Sequence, residues 1–77
     1  MISLSEVERL LDKSSDKKKV VILENLLTEN RIASNDQRAC LIILANAYMR
    51  LKRYSDAEKT YRLAGMEKDA MRARVEI

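Results

Sequence analysis

From Ala39 to Leu51 the chain is apolar at nearly every position, interrupted only by Asn46 and Arg50. On a helix, Leu41, Leu44, Tyr48 and Leu51 make one face. Cys40, Ile43 and Ala47 make a second, and Ile42 with Met49 a third. A helix that is apolar all round is buried all round or waits for a partner. The chain has 77 residues, one domain's worth, and few other segments with which to cover it. The expectation is a protein with more oily helical surface than its own segments hide.

The rest of the chain also reads as helix. Proline is absent and there is one glycine, so sheet and loop punctuation is scarce. Ser3 and Glu6 have capping-box spacing, and Leu4, Val7, Leu10 and Leu11 follow as one apolar face. Ser14 and Ser15 break that helix. A second is predicted from Asp16 to about Glu29, with Val20, Leu23 and Leu27 as its stripe. Ile22 and Leu26 widen the stripe, and Val21 lies off it, toward a second neighbour. Ile32 anchors the polar turn between Thr28 and Asn35. The oily helix is predicted to begin near Ser34, capped with Gln37. A fourth begins near Tyr54, with Ser55 and Glu58 as a capping pair and Gly65 at its end. The tail from Glu67 is predicted as a short helix placing Ala70, Ala73 and Ile77 on one face.

The net charge is +3, with acids spread among the bases. Nucleic-acid binding calls for a concentrated basic stripe. The densest basic run, Lys17 to Lys19 with Lys13 one turn before, reads as a solvated helix start, or else as a surface for an acidic partner. Cys40, the one cysteine, forms no internal disulfide and reads as a small buried hydrophobe, since no histidine is present to activate it. No apolar run has transmembrane length, and Met-Ile-Ser-Leu-Ser-Glu lacks the features of a signal peptide, so a cytoplasmic protein is expected. No glycine-rich loop or metal-ligand cluster stands out, so neither an enzyme nor a cofactor or metal is expected.

Two sets of residues carry a family resemblance. Leu41, Leu44, Ala45 and Tyr48 sit on the oily helix, and Tyr54, Ala57, Tyr61 and Ala64 on the next. Their order and spacing resemble a tetratricopeptide (TPR) repeat of about 34 residues. Small residues let two antiparallel helices approach, and tyrosines fill the wedges beside each contact. Lys52 stands at the family's inter-helix glycine and Asp69 at its closing proline. The resemblance implies an all-α fold of antiparallel helical hairpins, stacked as a short TPR-like array with a C-terminal capping helix. Residues 1–77 are then one domain: a degenerate hairpin over 3–33, the clear helix pair over 36–66, and a cap over 67–77.

In that family the first helix of each pair lines a groove that takes a partner. The partner-binding residues the resemblance implies are Ala39, Ile42, Ile43, Asn46, Met49 and Arg50. Asn46 matches an asparagine some members use to hold a terminal carboxylate, but Ile42 replaces the accompanying lysine, so that clamp is incomplete. The apolar groove suits an amphipathic helix instead. In size and helix order the chain also resembles the small cytoplasmic TPR-like chaperones of type III secretion. These cover the amphipathic helix of a needle subunit, usually beside a second small helical chaperone. The function implied is that of a protein-binding chaperone. The alternative is an adaptor or homodimer packed through the oily helix.

Overall fold

The computed structural model describes all residues, Met1–Ile77, and contains five α-helices and one 3-10 turn. The helices are α1 (Leu4–Leu11), α2 (Asp16–Thr28), α3 (Gln37–Arg50), α4 (Tyr54–Leu63) and α5 (Glu67–Val75). The 3-10 turn, Ser34–Asp36, leads into α3. The chain is all-α, an array of helical hairpins 34 × 24 × 18 Å across. α2 and α4 pack on either side of α3, α5 closes the array against α4, and α1 touches α2 and α3 only lightly.

The oily helix is better covered than its composition suggests. Cys40, Leu44, Ala45, Ala47 and Tyr48 are all buried, while Leu41 and Ile42 remain half-exposed. Coverage is possible because the facing surfaces are small. Ala57 on α4 and Ala70 and Ala73 on α5 are fully buried with Ala45 and Ala47, so helix backbones approach closely around them. Tyr48 and Tyr61 fill the space between these contacts as part of the same core cluster.

The helix starts follow the capping pattern of the sequence only in part. Ser3 and Glu6 form the capping box at α1: the Glu6 amide donates to the Ser3 hydroxyl and the Ser3 amide to the Glu6 carboxylate. Ser15 caps α2, accepting from the Lys18 amide at 3.2 Å. The two later capping pairs do not form. The Gln37 side chain turns back to donate to Asn30 and to the Ile32 carbonyl. Asp36, at the N-cap of α3, reaches across to accept from the Leu4 amide at 2.9 Å and so caps α1 instead. Ser55 lies inside α4, which starts at Tyr54, and Glu58 is taken up by arginines.

The N-terminus is tied down by backbone pairing. The Ile2 amide donates to the Arg31 carbonyl at 2.8 Å and the Ala33 amide to the Ile2 carbonyl at 2.9 Å, a single parallel bridge between Ile2 and Ile32. Ile32 itself is fully buried, the anchor its place in a polar turn implies. Among the exposed apolar residues are Leu10 and Ile77, whose spacing places them on an apolar face, and Val21, which lies off the stripe of its helix. Leu10 is exposed because the short α1 meets its neighbours through Leu4, Val7 and Leu11. Val21 is exposed because no helix packs on that side of α2, and Ile77 because α5 ends at Val75.

Each of four helix-to-helix connections turns on one residue with positive φ: Lys13 (60°), Asn30 (54°), Lys52 (61°) and Gly65 (75°). The last three sit in Schellman closures. At Lys52 its amide donates to the Met49 carbonyl at 3.0 Å, and the Arg53 amide to the Tyr48 carbonyl at 2.9 Å. Lys52 therefore adopts a left-handed backbone geometry that glycine accommodates more easily. A left-handed L-residue costs about 1–2 kcal/mol, of which glycine's greater freedom when unfolded takes back about half. Lys52→Gly should therefore stabilise the protein by about 0.5–1 kcal/mol, raising the melting temperature by roughly 3–6 °C. A lower melting temperature in calorimetry would show that the lysine is not strained.

Ion pairs tie α4 to α5. Arg62 donates to Glu58 at 2.9 Å and to Glu67 at 2.7 Å, and Arg74 lies 3.5 Å from Glu58. The Arg62 hydrogen bond, then the Arg62 and Arg74 charges, hold the Glu58 carboxyl below the usual carboxylate range. A group whose pKa falls on folding stabilises the fold above its unfolded value and loses that contribution as pH falls through the folded one. Arg62→Gln should thus lower the urea midpoint modestly at pH 7. The two proteins should converge in strong acid, where Glu58 is protonated in both. A gap that persists or widens in acid would contradict this account.

Candidate partner-binding surface

At 100° per residue, Ala39, Ile42, Ile43, Asn46, Met49 and Arg50 fall within about 120° of arc on α3. The surrounding helices treat them differently. Ile43 and Met49, at the two margins, pack against the buried cluster. Ile43 also borders a cleft of about 270 Å³ with Glu8, Leu11, Asp12, Lys13 and Lys19. Ala39 and Ile42 are half-buried, and Asn46 and Arg50 are exposed. What remains open is a stripe of Ala39, Ile42, Asn46 and Arg50, at the i, i+3, i+4 spacing of one helix face.

The lower part of that stripe is polar and already bonded. The Tyr61 hydroxyl donates to the Asn46 side-chain carbonyl. Arg50 donates to Asp16 at the start of α2, at 2.9 Å. Burial raises the Tyr61 phenol above its ordinary range; the Asp69 charge adds to this and the Arg50 charge opposes it. Groups from α2, α3, α4 and α5 therefore meet at this face. Asn46 keeps its amide protons free, and the carbonyl contact with Tyr61 fixes their direction. The apolar part of the stripe is Ala39 and Ile42, with no helix of this chain packed on Ile42 as part of the core.

Cys40 is fully buried beneath the stripe. Burial first, then the charges of Asp36 and Glu8, raise its thiol pKa, which leaves it protonated and unreactive.

The largest groove lies elsewhere, where the sequence pattern gives no direct sign of it. It encloses about 360 Å³ and is lined by Lys17, Val20, Val21 and Glu24 of α2 with Leu51 and Arg53 of the α3–α4 turn. The first four are one helical stripe at i, i+3, i+4 and i+7. Tyr48 links two of the lining residues: its hydroxyl donates to Glu24, and the Arg53 guanidinium lies over its ring at 4.7 Å. Burial, and then the Glu24 hydrogen bond, raise the Tyr48 phenol far above its usual range. The one hint in the sequence is Val21, the valine that does not fit the core stripe of its helix.

No helix is long and apolar enough to cross a membrane. No protein-family model, no curated protein and no solved structure matches the chain.

Proposed function

We propose that this chain is a TPR-like protein-binding module whose α3 stripe receives an amphipathic helix from a partner. Ile42 is the apolar anchor, with Ala39 beside it. Asn46 and Arg50 supply the polar edge, where the free amide of Asn46 and the outer guanidinium of Arg50 meet backbone or carboxylate oxygens. The observation that carries this reading is Ile42, a large aliphatic residue of the α3 stripe that the chain's own core leaves half-open. In its finer form the protein is a cytoplasmic chaperone that covers a helix prone to polymerise, such as that of a type III secretion needle subunit, together with a second small helical protein. The helix order supports that form. Neither form assigns the protein catalysis or a cofactor.

Ile42→Asp tests the anchor, because a charge at a half-open site is hydrated in the free protein and desolvated in the complex. Co-purification should recover a helical partner with the unaltered protein. The aspartate variant should lose at least tenfold in affinity while its circular dichroism stays the same. Equal recovery by both would remove the stripe from the interface. A homodimer in sedimentation that the same substitution dissolves would favour the alternative, an adaptor or homodimer joined through α3. Met49→Asp is a poorer probe, since Met49 packs on the core.

A further inference from the structure

We infer that the groove between α2 and the α3–α4 turn is a second docking site, and that its occupant is an acidic segment of another protein carrying an aliphatic side chain. The site stands apart from the α3 stripe, since the two surfaces share no residue.

The charge distribution points to the occupant. The Arg50–Asp16 contact brings the α1–α2 turn, the first turn of α2 and the α3–α4 turn to one end of the array. That end carries Lys13, Lys17, Lys18, Lys19, Arg50, Lys52 and Arg53 against Glu8, Asp12, Asp16, Glu24 and Asp56, with Lys13 and Lys19 bordering the neighbouring cleft beside Glu8 and Asp12. These residues hold two of the chain's three excess positive charges. The acids nearest the groove are already engaged. Asp16 is held by Arg50, Asp56 by Arg53 at 2.9 Å, and Glu24 accepts from Tyr48. No lysine of the chain is within ion-pair distance of a carboxylate, so the lysine charge at this end is unanswered.

The shape selects a protein ligand. The groove has an aliphatic lining of Val20, Val21 and Leu51, with Lys17 and Arg53 at its edges. Val21 is 57% exposed although it faces this depression. An apolar pocket with a charged rim is how an interface holds an anchoring side chain and orients its neighbours. Nucleic acid would ask for a free aromatic face, but the Tyr48 ring lies under Arg53. A lipid surface would ask for a broad apolar face, whereas Val21 is the one strongly exposed aliphatic here.

The test titrates the full chain, with its methyl groups labelled for NMR, with a synthetic peptide of glutamate, leucine and alanine. Saturable shifts should centre on Val20, Val21 and Leu51, and affinity should fall as salt rises. Lys17→Glu should weaken binding tenfold or more, and Val21→Ser several-fold. Both residues are exposed, so both variants should keep the circular dichroism of the parent, and Ile42→Asp should bind the peptide like the parent. A peptide with serine for leucine should bind at least several-fold more weakly. Four results would overturn the inference: shifts centred elsewhere, undiminished binding by Lys17→Glu, equal binding of the serine peptide, or stronger displacement of these methyl signals by oligothymidylate or phosphatidylserine vesicles than by the peptide.

Discussion

Tyr61→Ala should lower stability by about 3–4 kcal/mol and the melting temperature by roughly 15–25 °C. Tyr61 is 6% exposed and belongs to the same buried cluster as Ala57, Ala70 and Ala73. An alanine there leaves a void that close-packed alanine contacts cannot collapse into, because helix backbones already touch at those points. For a domain of this size the total stability is about 4–11 kcal/mol, so the loss is a large share of it. Tyr61→Phe separates packing from hydrogen bonding. It keeps the ring, loses the contact to Asn46, and should cost about 1 kcal/mol. Equal effects of the two substitutions in thermal unfolding would show that the hydroxyl, rather than the ring, holds α4 to α3.

Ile32→Ala is expected to cost about 2–5 kcal/mol, the range for a buried aliphatic truncated to alanine. Ile32 is fully buried although it lies in a turn, and its backbone pairs with Ile2. The damage should be concentrated in α1, which touches the other helices lightly and is held by that bridge and the Asp36 cap together with buried Val7 and Leu11. Hydrogen exchange should therefore show the amides of α1 losing protection first, with α3 and α4 opening only near global unfolding. Uniform loss of protection along the chain would mean that α1 is integral to one cooperative unit.

Tyr61 and Ile32 differ in how far the sequence reveals them. Tyr61 sits where the helical spacing of tyrosines and alanines puts it. Ile32 reads as an anchor from its place among polar residues, but its pairing with Ile2 does not follow from that place. Backbone pairing between residues thirty positions apart leaves no trace in a periodicity. The same holds for Asp36. Its position and chemistry suit a cap on its own helix, and it caps α1 because the bridge brings Leu4 within reach. Ser34 and Ser55 depart from the capping pattern for a related reason: capping boxes describe what a serine does when its partner is free. Gln37 and Glu58 are both drawn to other groups.

The proposed stripe is only half legible in the sequence. The six residues that the TPR resemblance implies share one arc of α3, but whether each is open depends on what packs beside it. Ile43 and Met49 turn toward the core, while Ile42, an isoleucine like Ile43, stays half-open. The groove beside α2 shows the converse. Nothing in the sequence joins Lys17 to Arg53, and only the packing of α2 on α3 makes them neighbours across one depression.

What the amino-acid order determined alone was the number of helices, most of their ends and the left-handed close at Gly65. These follow from interactions between residues a few positions apart, whose energies depend little on the remainder of the fold. The partnership of Ile2 with Ile32, the destination of Asp36 and the exposure of Leu10 and Val21 were decided by tertiary structure. So were the two surfaces offered to partners. Each depends on distances between helices, and a one-dimensional pattern carries no such distances.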